Sequence, residues 1–159
     1  QVTKMEHLVY RDGHDNSVVD VLHHAREFIK QHPDLEIYVG TDSQNKKKVT
    51  IYCTVIAFRY SCGRGVHYVY SKQHIPKIKD RWTRLWKEAE FTAQAATMLR
   101  TNLVPVHHVE VDYNAKDKTA GSYSIVTSAV GYLKGLGFDN VTAKPDLQVA
   151  VKAANHLVQ

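Results

Sequence analysis

The apolar residues change period part-way along the chain. From Leu35 to Ile75 they alternate or run together in short β-branched and aromatic stretches. From Trp82 onward they recur every three or four residues, interrupted by short apolar runs. Val18, Val21, Leu22, Ala25, Phe28 and Ile29 predict an amphipathic helix. Ser17 and Asp20 have capping-box spacing at its start, and His32-Pro33 stops it. Leu35–Asp42 reads as a strand, Val49–Phe58 as a second and Val66–Ile75 as a third. The turn cluster 61–65 joins the last two into a meander. Trp82, Leu85, Trp86, Ala89, Ala93 and Ala96 stripe a helix from Arg81 to Arg100. Strand His107–Asp112 follows, then a helix from Ser122 to Lys134 that stops at Gly135-Leu136-Gly137. Asn140–Lys144 reads as a short strand, and Pro145 opens a last helix carrying Val149, Ala150, Ala153 and Leu157.

After the first helix the order is β-β-β-α-β-α-β-α. A meander followed by alternating elements predicts a mixed α/β sheet whose later strands run parallel to the first, with right-handed crossovers. Ligand sites in open sheets of this kind lie at the carboxyl ends of parallel strands. The chain's 159 residues suit one domain, 1–159, without a stabilising staple. Two cysteines, Cys53 and Cys62, make no disulfide framework or metal spacing. They are read as reduced thiols of a soluble, cytoplasmic protein. No apolar run suits a membrane span. A net charge of +5 permits nucleic-acid binding without establishing it. The neighbouring pairs His23-His24 and His107-His108 point apart on helix or strand, so neither pair alone makes a metal site.

Two acids stand at strand ends: Asp42 and Asp112. If the first and fourth strands are neighbours, the carboxylates emerge side by side. Like charges at close range need a cation. Carboxylate oxygens suit Mg²⁺ or Mn²⁺. Taken singly, each Asp is explained as well by a turn cap.

The element order, the segment Val39-Gly40-Thr41-Asp42-Ser43-Gln44 and the strand ending Val111-Asp112 resemble the ribonuclease H-like superfamily. Tyr38–Gln44, Glu88–Ala96, Asp112, Gly131–Phe138 and Lys144-Pro145-Asp146 leading into Ala154 resemble its bacterial YkuK-type branch. The resemblance implies a five-stranded mixed sheet of order 3-2-1-4-5 flanked by helices, with the first helix as an N-terminal addition. It further implies a metal-dependent nuclease that hydrolyses phosphodiester bonds of RNA, a hybrid or structured DNA. Asp42, Glu90 and Asp112 would hold the metal, with Asp42 bridging two ions. Glu88 and Glu90 are about 200° apart on a helix and cannot both face one ion. Each sits at an opposite edge of the apolar stripe. Glu88 has an i,i+4 partner in Arg84, and the run from Glu90 to Ala96 fits the family pattern, so Glu90 is assigned and Glu88 held in reserve. The superfamily's fourth acid falls at Asn155, which keeps an oxygen but loses the charge. Asp146 starts the same helix half a turn away, and His156 is adjacent.

Lys46, Lys47 and Lys48 follow Asp42, and Lys79, Arg81 and Arg84 precede or enter the glutamate helix. With Asn114 and Lys116 they are the candidate phosphate contacts. Lysines in turns are also commonly just solvated. Trp82 and Trp86 follow the apolar stripe and are expected in the core. Two other readings stay open: a nucleic-acid-binding module disabled by Asn155, and an interaction domain whose acids are turn caps. An actin-like nucleotidase needs a second domain for which the chain has no room.

Overall fold

In the computed structural model, residues 8–61, 65–114, 123–144 and 148–159 are described. The β-branched and aromatic runs form three eleven-residue strands, Glu36–Lys46, Val49–Arg59 and Val66–Pro76. Two short strands, β1 (Tyr10–Asp12) and β2 (Val18–Val19), precede them, so the three long strands are β3, β4 and β5. β6 (His108–Asn114) and β7 (Val141–Lys144) complete a seven-stranded sheet of order β2-β1-β5-β4-β3-β6-β7. The expected five-stranded sheet is therefore too small: β1 pairs antiparallel with β5 and extends that edge. The β3–β4 and β4–β5 pairings are antiparallel, whereas β3–β6 and β6–β7 are parallel.

Ser17 does not start the first helix. Val18 and Val19 pair with β1, and Asp20 caps α1 (Val21–Gln31), accepting from the His23 N–H. α2 (Arg81–Thr101) starts where its stripe predicts, with the Asp80 carboxylate accepting from Thr83 N. α3 spans Tyr123–Gly135. Its end is closed by Phe138 N donating to Leu133 O and Gly137 N to Lys134 O, with Gly137 at φ +97°, a conformation open to glycine because it has no Cβ. α4 is Ala150–Val158, starting five residues after Pro145; Pro145 and Asp146 lie outside the described residues, as does Cys62. Cys53 is buried, and its thiol is pushed up to about 12 by that burial, which keeps it protonated.

Alternation along the strands sorts their side chains onto two faces. Ile37, Val39, Ile56, Phe58, Val69, Val109 and Val111 pack with α1, α2 and α3, which supply Ala25, Leu85, Ala89, Ala96, Leu99, Ile125, Ala129 and Leu133. Tyr38, Ile51, Cys53, Val55, Ala57 and Tyr70 pack with Ala150, Ala154 and Val158 of α4 on the opposite face. Trp86 packs at the edge of the larger core, but Trp82 is 43% exposed and stacks on Trp86 at 5.5 Å, so it is not the core residue its place in the stripe suggests. No helix among the described residues is long and apolar enough to cross a membrane.

Two features press α4 onto the sheet. Gly40 leaves room for it: a Cβ there would come within 2.7 Å of Val151 Cγ2 and 3.2 Å of Val151 N. Glu110, only 1% exposed on β6, accepts from Val149 N at 2.7 Å and Val151 N at 2.8 Å. These are the otherwise unpaired N–H groups of the helix start, where negative charge is also favoured. Replacing Glu110 by Ala should therefore lower unfolding stability by about 1–3 kcal/mol, the cost of stranding buried donors. The denaturant midpoint would fall at unchanged slope; an unmoved midpoint would mean that the α4 start does not depend on this carboxylate.

Candidate metal centre

β3 and β6 pair in parallel at Tyr38↔His108 and Val39↔Val109, a constant offset of 70 residues that puts Asp42 and Asp112 at the same level of the sheet. β6 keeps register with β7 as far as Val111↔Ala143, then resumes at Asn114↔Lys144. Asp112 thus sits in an irregularity of the kind that re-aims a side chain. β3 itself runs four residues beyond Asp42, so Asp42 does not end the strand, contrary to the expectation from the sequence.

Behind β3 lies α2. Arg84, Glu88 and Thr92, spaced four apart, form a polar stripe against the odd-numbered side chains of β3. Arg84 Nη1 donates to Ser43 Oγ at 2.8 Å, Ser43 Oγ donates to Glu88 Oε2 at 2.5 Å, and Thr92 Oγ1 donates to Thr41 Oγ1 at 2.8 Å. This rotation of the helix decides between the two glutamates. Glu88, not Glu90, joins Asp42 and Asp112, with one carboxylate oxygen of each within 4.8 Å of the others. Glu90 is half-buried on the flank, where its charge acts on Tyr52 and Tyr132. Glu90, the acid expected in this cluster from the sequence, is not the one that the structure groups with Asp42 and Asp112. The apolar stripe runs between the two, and only the polar spacing 84-88-92 carries the signal.

Burial is severe here. Glu88 is 2% exposed and Asp42 5%, while Asp112 is half-buried. Burial, and next the charge of Asp42, push the Glu88 carboxyl well above its usual range; the Ser43 hydroxyl opposes this. Glu88 Oε1 is buried and has no hydrogen-bond partner among the described residues. A desolvated, unpartnered oxygen on a glutamate grouped with two further carboxylates is what a hard divalent cation would satisfy, so the donor set fits such an ion.

Asn155 of α4 approaches from the other face. Its Nδ2 donates to Asp42 Oδ2 at 2.8 Å, and its Oδ1 accepts from Gln159 Nε2 at 3.2 Å. The expectation that Asn155 offers its oxygen to the centre is therefore replaced: it presents an N–H to Asp42. Of the candidate phosphate contacts, Arg84 is engaged with Ser43. Lys46 ends β3, and Lys47 and Lys48 form the hairpin tip, with Lys47 at φ 53°. Lys77 N donates to Lys48 O at 3.0 Å, which brings the hairpin lysines beside the Lys77–Asp80 connector holding exposed Lys79 and leading to exposed Arg81. Asn114 ends β6, and Lys116 lies outside the described residues.

The family profile described as Ribonuclease H-like matches residues 20–159. The chain belongs to the ribonuclease H-like family. No curated protein and no solved structure matches it. The family match begins at the cap of α1, so β1 and β2 lie outside it. A mixed sheet with acids on two adjacent parallel strands is the part of the ribonuclease H-like resemblance that the geometry bears on directly.

Because the Glu88 carboxyl is raised, the folded protein keeps a proton that the unfolded chain releases above about pH 4.3. The stability this confers is full below that pH and is lost as pH rises through the folded-state value. In EDTA, the native protein should lose stability relative to Glu88→Gln as pH rises from about 4.3. Parallel pH profiles of thermal unfolding for the two proteins would contradict this.

Proposed function

We propose that this ribonuclease H-like domain is a divalent-metal-dependent nuclease that cleaves phosphodiester bonds of a nucleic acid. Asp42, Glu88 and Asp112 would hold Mg²⁺ or Mn²⁺. The observation that carries the reading is the convergence of these three carboxylates from three different elements, together with a Glu88 Oε1 that is buried and has no hydrogen-bond partner among the described residues. When bound, such ions lower the pKa of a coordinated water and offset charge on a scissile phosphate. Asp42 is fixed for this task by hydrogen bonds from Ser43 N at 2.8 Å and from Asn155. Ser43 and Arg84 orient Glu88 from behind. Lys46, Lys47, Lys48, Lys79 and Arg81 lie at the same end of β3 as Asp42. Lys46 is four residues beyond it, about 13 Å along the strand, a distance suited to holding the backbone on one side of the cleavage point.

A second reading rests on Asn155: an amide at the place of a fourth acid leaves the centre one charge poorer. A metal-binding, nucleic-acid-binding module without cleavage would use the same residues. The experiment that separates them is cleavage of RNA, RNA–DNA hybrid and structured DNA with Mn²⁺. Asp42→Asn and Glu88→Gln should each reduce the rate at least ~100-fold, a loss of about 2.7 kcal/mol of transition-state stabilisation, while Glu90→Gln stays within a few-fold of native. Mn²⁺ binding without cleavage of any substrate would favour the second reading. Equal losses for Glu88→Gln and Glu90→Gln would overturn the ligand set.

The basic end makes a separate prediction. Neutralising Lys47, Lys48 and Lys79 together should weaken nucleic-acid binding and lower the slope of log affinity against log salt by about 0.7–0.9 for each phosphate that these lysines neutralise. An unchanged slope in fluorescence-anisotropy titrations would remove this surface from the interface.

A further inference from the structure

A second cluster of ligating side chains lies on β5, α1 and β1 and shares no residue with the carboxylate centre: His67, His24 and Asp12. Their facing atoms form a triangle. His24 Nε2 and His67 Nε2 are 2.8 Å apart, His67 Nε2 is 3.4 Å from Asp12 Oδ2, and His24 Nε2 is 3.9 Å from it. A point equidistant from the three lies about 2.0 Å from each, the length of a Zn–N or Zn–O bond. The side chains are only 14% (Asp12), 17% (His67) and 20% (His24) exposed, so the site is half-enclosed with one side towards solvent.

The surroundings fix all three donors. Phe28 stacks on the His67 ring at 4.6 Å and sits 5.0 Å from the His24 ring, bracing both imidazoles beside the triangle. Asp12 is pinned by pairing with Val69 and by Asp12 N donating to Ser17 O. Its Oδ1 accepts from His14 N at 2.7 Å, which turns Oδ2 towards the histidines. His67 stands opposite Phe58, and Phe58 opposite Ile37. The cluster is therefore level with Ile37, five residues before Asp42 and two strands away, on the order of 20 Å from the carboxylate centre.

We propose that Asp12, His24 and His67 bind a borderline divalent transition metal, Zn²⁺ being the best fit, with solvent in the fourth position. Two imidazoles and one carboxylate make a donor set unlike the all-oxygen carboxylate centre, and the two sites should sort metals by softness. The ion would tie β1 to the family domain, because Asp12 precedes the family match while His24 and His67 lie within it.

The test is Co²⁺ titration of the metal-stripped, untagged full chain, read by the visible absorption of four-coordinate cobalt. Native protein and Asp42→Asn should each take up one equivalent with that spectrum, displaced by Zn²⁺. Asp12→Asn should bind at least ~10-fold more weakly, the order of loss expected when a metal site's ligand shell is weakened, and His24→Gln/His67→Gln should lose the signal. A silent native protein, or a double variant with the native spectrum, would overturn the site and leave the 2.8 Å approach as a hydrogen bond between two neutral rings. If the double variant does not fold, histidine ring ¹⁵N resonances of the native protein decide. One equivalent of Zn²⁺ should shift His24 and His67, and shifts confined to other histidines would refute the assignment.

Discussion

Three carboxylates crowd the notch beside β3, and Glu88 among them is almost wholly cut off from water. Ionised carboxylates repel each other, and burial strengthens that repulsion while removing the solvent that would otherwise mitigate it. The arrangement therefore holds only with a proton or a cation among the oxygens. The irregularity in β6 at Asp112, the rotation of α2 that aims Glu88 inward, and the close seat of α4 over Gly40 all serve to hold these groups together.

Two buried glutamates show opposite solutions to the same cost. Glu110 is matched by backbone N–H groups at the start of α4, so its charge is answered within the chain. Nearby, Gln148 adds a hydrogen bond from Nε2 to Val111 O at 2.6 Å. Glu88 has one oxygen answered by Ser43, while the other has no hydrogen-bond partner among the described residues. Glu110 is consequently a fastener, joining β6 to the helix that carries Asn155, while Glu88 stands in the carboxylate cluster with Asp42 and Asp112. The hydroxyl chain from Thr92 through Thr41 to Thr54 keeps the interior beside that site polar but satisfied, which pins α2 to β3 and β4 without adding charge.

Charge is distributed to match. The acids gather in the notch, and the lysines at the β3–β4 hairpin tip and the β5–α2 connector cluster beyond them. A polyanion lying along that end would meet cations first and the carboxylate centre beside them. The far part of the sheet carries different chemistry, with two imidazoles braced by an aromatic ring beside Asp12.

Much of this was legible in the chain. Long β-branched runs read as strands, and a stripe of Leu85, Ala89, Ala93 and Ala96 reads as a buried helix face, because period alone decides which side chains share a surface. Asp42 and Asp112 stood out because each closes an apolar strand pattern, and the carboxyl ends of parallel strands are where open sheets place ligand sites; both strands in fact run on past them. The N-terminal strands were not legible: two- and three-residue elements have too few positions to establish a period, and Val18 fitted a helical stripe as well as a strand. Nor could sequence choose Glu88, because the stripe fixes which helix face is buried but not how a flanking residue is rotated against one particular strand. The hydrogen bonds joining Arg84, Ser43 and Glu88, and Thr92 to Thr41, made that choice. The same holds for Asp12, His24 and His67. Their separations of 12 and 43 residues have no periodic signature, and only the pairing of β1 with β5 beside α1 brings them together.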